Sequence, residues 1–269
     1  MKKTKIIIPA LGLLLLSTAA SVTGTVAWFA ANASVTASGM QLQAKAEQGI
    51  LISTQTAASP ASAWGASATA LNSGSGVAVF PTSTADASAW LHNKGTSVTN
   101  GAASGAYETL SLTETAGVGK DSSSNSYYLH NTFYVKASSD TSFTDALIVN
   151  QVTGTGSTNS VNLDKALRVL VKQGSNVAIF APFNSASGDL SYNVGGASGT
   201  AVTAIDATVE KENHELNSAL AYPEITNASP VAIDVYIYFE GEDSNCKSEN
   251  ITANLDTLEI TVVFGTQNL

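Results

Sequence analysis

The feature that most constrains this chain is a strict period of two near its C-terminus. In "VAIDVYIYFEGE", Ile233, Val235, Ile237 and Phe239 project to one side, and Asp234, Tyr236, Tyr238 and Glu240 to the other. Only extended backbone sends successive side chains to opposite faces, so this pattern predicts a strand with one buried face. The same alternation recurs in three more segments. In "NTFYVKAS", Phe133, Val135 and Ala137 share a face; in "LDKALRVLVKQG", Leu167, Val169 and Val171 alternate with Arg168, Leu170 and Lys172. In "LEITVVFG", Leu258, Ile260, Val262 and Phe264 point inward. Half-buried strands separated by Gly, Asn and Ser turns, with almost no helical pattern, predict an all-β fold: an antiparallel β-sandwich or jelly roll. One segment departs from this. In "AIDATVEKENHELNSALAY", Ile205, Val209, Leu216 and Leu220 fall at spacings of four, seven and four, which fits a short helix with a charged, solvated face.

A chain built this way needs enough length to bury a core without staples. Cys246 is the single cysteine of the 269 residues, so no intramolecular disulfide forms. Only 12% of residues are charged, well below the roughly 25% of an ordinary soluble domain, and Ala, Ser, Thr, Gly and Asn fill the difference. Between about residues 57 and 106 this bias is strongest. Two tryptophans stand there in similar contexts, "ASAWGAS" and "ASAWLHN", read equally as an internal echo or as low-complexity drift.

The N-terminus reads as an export signal. Lys2, Lys3 and Lys5 precede the apolar run Ile6 to Leu16, and small residues follow as far as Thr25-Val26-Ala27. Thr25 and Ala27 suit the −3 and −1 positions of a cut before Trp28, giving a signal peptide over 1–27. An uncleaved anchor is the alternative, although the greasy stretch is short against the roughly 20 apolar residues of a span. Removing the three leader lysines from 12 basic residues leaves 9 against 21 acidic, a net charge of −12. Nucleic acid and anionic lipid, which are held by clustered Lys and Arg, are therefore disfavoured as partners, and a membrane enters only through the leader before cleavage.

Catalytic and metal signatures are absent. His92, His130 and His214 stand in no H-x-x-x-H or H-E-x-x-H arrangement, and a hydrogen-bonded or outward-facing role is expected of His130 inside "YYLHNTFYV". No nucleophile elbow, phosphate loop or dinucleotide fingerprint occurs, and "GGASG" reads as a turn. The one dense polar cluster is "FEGEDSNCKSEN", where Glu240, Glu242 and Asp243 offer oxygens suited to Ca²⁺. Their spacing does not match an EF-hand, and a solvated loop is the simpler expectation, so no cofactor is assigned. Within that loop Cys246 reads as a small buried side chain before a free thiol or an intermolecular link.

After the expected cut the chain reads "WFAANASVTASGM". Phe29, Ala31, Ala33, Val35 and Ala37 lie on one face, with Ala30, Asn32, Ser34, Thr36 and Ser38 on the other; Gly39 then precedes a second alternating strand, "MQLQAKA". A strand like this must pair with a sheet to satisfy its backbone. It either joins its own sandwich or is given to a neighbouring copy as a donor strand, and a head-to-tail exchange of that kind builds a filament. The expected organisation is thus 1–27 signal peptide, 28–38 donor-strand candidate and 39–269 sandwich domain.

The order of basic leader, Gly-Thr-x-Ala, "WF", a short alternating stretch and "ASGMQLQA" resembles the N-terminus of the TasA and camelysin group, over about residues 1 to 54. That resemblance implies export from a Gram-positive cell, processing by a dedicated signal peptidase and a jelly-roll fold. It also implies assembly into biofilm-matrix fibres at the cell surface, by self-association and beside other matrix components. The segment from Phe29 to Gly39 is shorter, richer in alanine and poorer in lysine than that family's pattern. The peptidase activity attributed to camelysin has no signature here, so the chain is expected not to be an enzyme. Three function classes follow: a filament subunit; a monomeric or membrane-anchored surface adhesin using exposed Tyr236 and Tyr238; and a secreted enzyme whose site is scattered through the sequence. The ending "VVFGTQNL" carries no sortase-type motif.

Overall fold

The computed structural model describes residues 35–37, 41–46, 49–55, 61–70, 77–93, 107–138, 146–155, 163–183, 192–193, 201–202, 230–241 and 258–267. The N-terminal half of the chain supplies short strands: β1 (Val35–Ala37), β2 (Gln41–Ala46), β3 (Ile50–Ser53), β4 (Ser67–Thr69), β5 (Val77–Val79), β6 (Leu91–Asn93), β7 (Tyr107–Thr109), β8 (Thr113–Thr115) and β9 (Val118–Lys120). The long strands follow: β10 (Ser126–Ala137), β11 (Ala146–Thr155), β12 (Leu167–Gln173), β13 (Asn176–Phe180), the short pair β14 (Tyr192–Asn193) and β15 (Ala201–Val202), β16 (Val231–Phe239) and β17 (Glu259–Gln267). The only helical pieces among the described residues are two short 3₁₀ turns, Ala61–Ala63 and Leu163–Ala166. The protein is all-β, and the segment read as a helix over 205–220 lies outside the described residues.

The strands form two main sheets. The larger runs β1-β5-β10-β16-β12-β13, with β3 and the β8–β9 hairpin attached along β10; the smaller runs β11-β17-β2-β4. Inward side chains of both sheets meet in one core: Phe133 and Val135 of β10, Val169 and Val171 of β12, and Ile233, Val235, Ile237 and Phe239 of β16 face Leu42 and Ala44 of β2 and Ile260, Val262 and Phe264 of β17. This is a β-sandwich, and the period of two located its buried face correctly in all four segments. At roughly 25 cal/mol per Å² of apolar surface, each such Ile, Val or Phe contributes on the order of 1.5–3 kcal/mol of burial.

Pairing among the described strands is antiparallel almost throughout; the parallel contacts are the single Val79–Ser126 pair of β5 with β10, the Thr82–Glu240 bridge, and one full ladder. β2 lies parallel to β17, from Gln41 against Glu259 to Ala46 against Phe264. Parallel neighbours cannot be joined by a hairpin; they need a long crossover, here most of the chain, so the N-terminal and C-terminal strands close the smaller sheet together. Where turns are tight, their residues fit. β12 and β13 are joined through Gly174 at φ +60 and Ser175, and β8 and β9 through Ala116 and Gly117 at φ +50 and +73. Two successive positive φ values match the right-handed twist of a hairpin; glycine adopts them freely, whereas alanine at Ala116 is strained.

β12 differs from its expected half-buried character. Arg168 and Leu170, which alternate with the core residues, are both fully buried. Over Leu170 the cause is a second, smaller hydrophobic cluster on the outer face of the larger sheet.

Candidate functional site

Strand register sets the outer face out in rows. His130 of β10 lies opposite Tyr236 of β16, which lies opposite Leu170 of β12. One row along are Thr132, Asp234 and Lys172; in the other direction Tyr238 stands opposite Arg168. Polar and aromatic side chains occupy these positions because the strand alternation leaves them no place in the inner core.

The segment after β5 folds over these rows. Its backbone is stitched to itself by reciprocal bonds between Ser83 and Leu91, and Thr82 Oγ1 donates to the Leu91 carbonyl at 2.8 Å. Thr84 Oγ1 donates to the Ala89 carbonyl at 2.7 Å and accepts from the Ala87 N–H at 2.9 Å, closing a loop in which Ala87 has φ +60. Lys172 Nζ donates to the Asp86 carbonyl at 2.9 Å, tying the loop to the sheet. These bonds carry Trp90 onto the tyrosines. Its ring stacks on Tyr128 with centroids 4.4 Å apart and meets Tyr238 edge-on at 5.2 Å. With Leu170, Val177, Ile179 and Ala181 they form a second hydrophobic cluster, and Trp90 is only 5% exposed. Offset and edge-to-face contacts of this kind add about 0.5–1.5 kcal/mol per pair beyond area burial. Gly119 of β9 makes room for the stack: a Cβ there would lie 2.1 Å from Tyr128 Cε1.

Beside the aromatic cluster sits an ionic one centred on His130. Its Nδ1 lies 2.8 Å from Glu114 Oε1, and its Nε2 lies 3.1 Å from Asp234 Oδ1. The imidazole is parallel to the Tyr236 ring at 4.2 Å. Asp234 Oδ1 also accepts from Thr132 Oγ1 at 2.8 Å, and Tyr128 Oη donates to Glu114 Oε2 at 3.4 Å. Burial on its own would lower the His130 pKa, but the hydrogen bonds to Asp234 and Glu114 and their two negative charges outweigh it and raise the pKa. Burial likewise opposes ionisation of Asp234, yet bonds from His130 and Thr132, with the charges of His130 and Lys172, hold its pKa below the ordinary value. Tyr128 is pushed up to about 12 by burial and by the Glu114 charge and hydrogen bond.

Both ring nitrogens of His130 meet carboxylates, so the imidazole is engaged at both edges. Among the described residues no group of three His, Cys, Asp or Glu side chains is arranged to hold a metal ion, and no helix is long and apolar enough to cross a membrane.

The residues singled out from the sequence fall in different places. Val35 and Ala37 belong to β1, where Val35 pairs with Val79 and Ala37 with Val77. Phe29, Ala31, Ala33, the cleavage residues Thr25, Ala27 and Trp28, and Glu242, Asp243, Cys246 and His214 lie outside the described residues. Glu240 is not the solvated loop carboxylate that was expected. It is fully buried, its N–H donates to the Ala166 carbonyl, and its charge is felt by Tyr238. Tyr238 is likewise buried, and Tyr236 half-buried, which removes the pair of exposed tyrosines proposed for an adhesin. His130 takes the hydrogen-bonded role expected of it. Glu114 and the stacking partner Tyr128 had no sequence signal beyond their own alternation, whereas Trp90 stood out as an aromatic in a run of small residues.

No protein-family model matches the chain, and neither the curated proteins nor the solved structures give a match. Fold and site together define an all-β protein whose described residues form two main sheets and two small two-stranded ones, the largest sheet carrying a capped aromatic and ionic outer face.

Proposed function

We propose that the protein is a secreted structural subunit of an extracellular filament, in which residues 28–38 of one copy complete the larger sheet of the next. The observation that supports this is the position of β1. It is the terminal strand of the larger sheet, held over three residue pairs by β5, itself a three-residue strand that meets β10 through the single pair Val79 and Ser126. A short ladder at a sheet margin can be exchanged for the identical ladder from a neighbour without disturbing the interior strands. Export through a leader over 1–27 and processing by a signal peptidase before Trp28 belong to the same proposal.

The competing reading is a monomeric or membrane-anchored surface binding protein, favoured by the closure of this ladder within one chain. Removing residues 28–38 from the mature protein separates the two. A filament subunit becomes a folded monomer that no longer polymerises by light scattering and electron microscopy. Fibres formed by the truncated protein would refute strand exchange.

A further inference from the structure

We propose that His130, Glu114 and Asp234 form a proton-dependent clamp that fastens the β8–β9 hairpin to the larger sheet. The three side chains come from three different strands: Glu114 from β8, His130 from β10 and Asp234 from β16. Backbone pairing of the hairpin to β10 is slight. It includes the Ser126–Lys120 and Tyr128–Gly119 pairs with an irregular register between them, the bond from the His130 N–H to the Gly117 carbonyl at 2.7 Å, and the bond from the Asp121 N–H to the Asn125 carbonyl at 3.0 Å in the connecting turn. Residues Thr113 to Ala116 are exposed, so apolar burial holds this end of the hairpin only weakly. The Glu114 carboxylate, bridged to His130 and touched by Tyr128, is the side-chain tie of β8, whereas β9 is anchored by Val118 in the core.

The chemistry of imidazole makes that tie conditional. A neutral ring has one N–H and one lone pair, so it donates to only one of two flanking carboxylates and sets its lone pair against the other. Protonated, it donates to both, and each bond is charge-assisted. The groups facing it among the described residues are Glu114 from β8, Asp234 and Tyr236 from β16, and Tyr128 and Thr132 from its own strand; Lys172 of β12 acts on it through Asp234. No cation among them touches the ring, so nothing at the site substitutes for the proton's charge. The raised pKa of His130 agrees with this geometry. The sign follows: the clamp is closed below the ordinary histidine value of about 6.5 and opens as pH rises through the higher folded value. Its position adds consequence, because Ser126 borders Lys120 of the hairpin and Val79 of β5, the strand that holds β1.

Amide hydrogen exchange of the mature protein, corrected for intrinsic rates, tests this at about pH 5.5 and about pH 8.5. In the wild type, protection at Val118, Gly119 and Lys120 should fall about tenfold at the higher pH, the scale of one charge-assisted hydrogen bond, while Val169 and Val235 in the central strands stay unchanged. In His130→Gln the hairpin should be equally protected at both pH values. Glu114→Gln, at an exposed position that does not threaten folding, should move the wild-type transition to lower pH. Hairpin protection that is flat with pH in the wild type, or a Glu114→Gln profile that overlays it, overturns the clamp. Neither result bears on polymerisation, so the clamp and the filament reading stand or fall separately.

Discussion

The two faces of β16 obey different rules. Its inner face is uniform: Ile233, Val235, Ile237 and Phe239 are all buried against the smaller sheet. Its outer face is graded, from half-buried Asp234 in the ionic cluster, through Tyr236 against Trp90, to fully buried Tyr238, with Glu240 buried just beyond the strand. The inner face is held by area and shape, which no pH change reaches. The outer face is held by a loop, an aromatic stack and an imidazole between two carboxylates, each of which can be removed singly. The sandwich is therefore expected to survive changes that strip its outer layer.

The largest test of that contrast is Phe133→Ala. Phe133 is fully buried between the sheets, so truncation should cost about 3–5 kcal/mol in denaturant unfolding and shift every probe together. Trp90→Ala should cost less, about 2–3 kcal/mol, because the capping loop can relax toward solvent. It should abolish the near-UV signal of the stacked Trp90–Tyr128 pair while far-UV circular dichroism keeps its β character. Equal costs for the two variants would mean that the faces are not energetically distinct.

The pH response sharpens the comparison further. Asp234 has a lowered pKa, so its contribution is present above the unfolded value of about 3.9 and is lost as pH falls through the folded one. His130 acts in the opposite sense at higher pH. Stability contributed by the outer face should accordingly peak between about pH 4 and 6.5. Asp234→Asn should flatten the acid limb by something on the order of 1 kcal/mol after solvent screening, and an unchanged limb in urea titrations would remove Asp234 from the account. The smallest effect expected is a gain. Ala116→Asn gives the β8–β9 turn the Asn-Gly pair that positive φ at both positions favours, and should raise stability by about 0.5 kcal/mol and hairpin protection with it.

Much of the inner face was legible in the sequence because alternation is a local signal: Phe133, Val169, Val235 and Ile260 each announce their side by their neighbours. The outer face was not. Arg168 and Leu170 read as a mixed surface unless something covers them, and the cover comes from a segment rich in Ala, Ser and Thr with no periodicity of its own. Leu170, an apolar residue on the polar side of β12, and Trp90, an isolated large aromatic, are the two residues whose sequence context points to a cover. The parallel pairing of β2 with β17 and the meeting of Glu114, His130 and Asp234 depend on chain closure across more than a hundred residues, for which single-chain patterning carries no signal.

The proposed function turns on whether β1 pairs within its own chain or with a neighbour, and a reversible lock reads this most directly. Val35 and Val79 are register partners, so the mature protein carrying Val35→Cys and Val79→Cys, with Cys246→Ala to leave no third thiol, can be oxidised as a monomer to fix β1 in its own sheet. The account predicts that the oxidised protein stays monomeric and that reduction restores filament growth. Filaments growing at the same rate from the oxidised and reduced protein would contradict it.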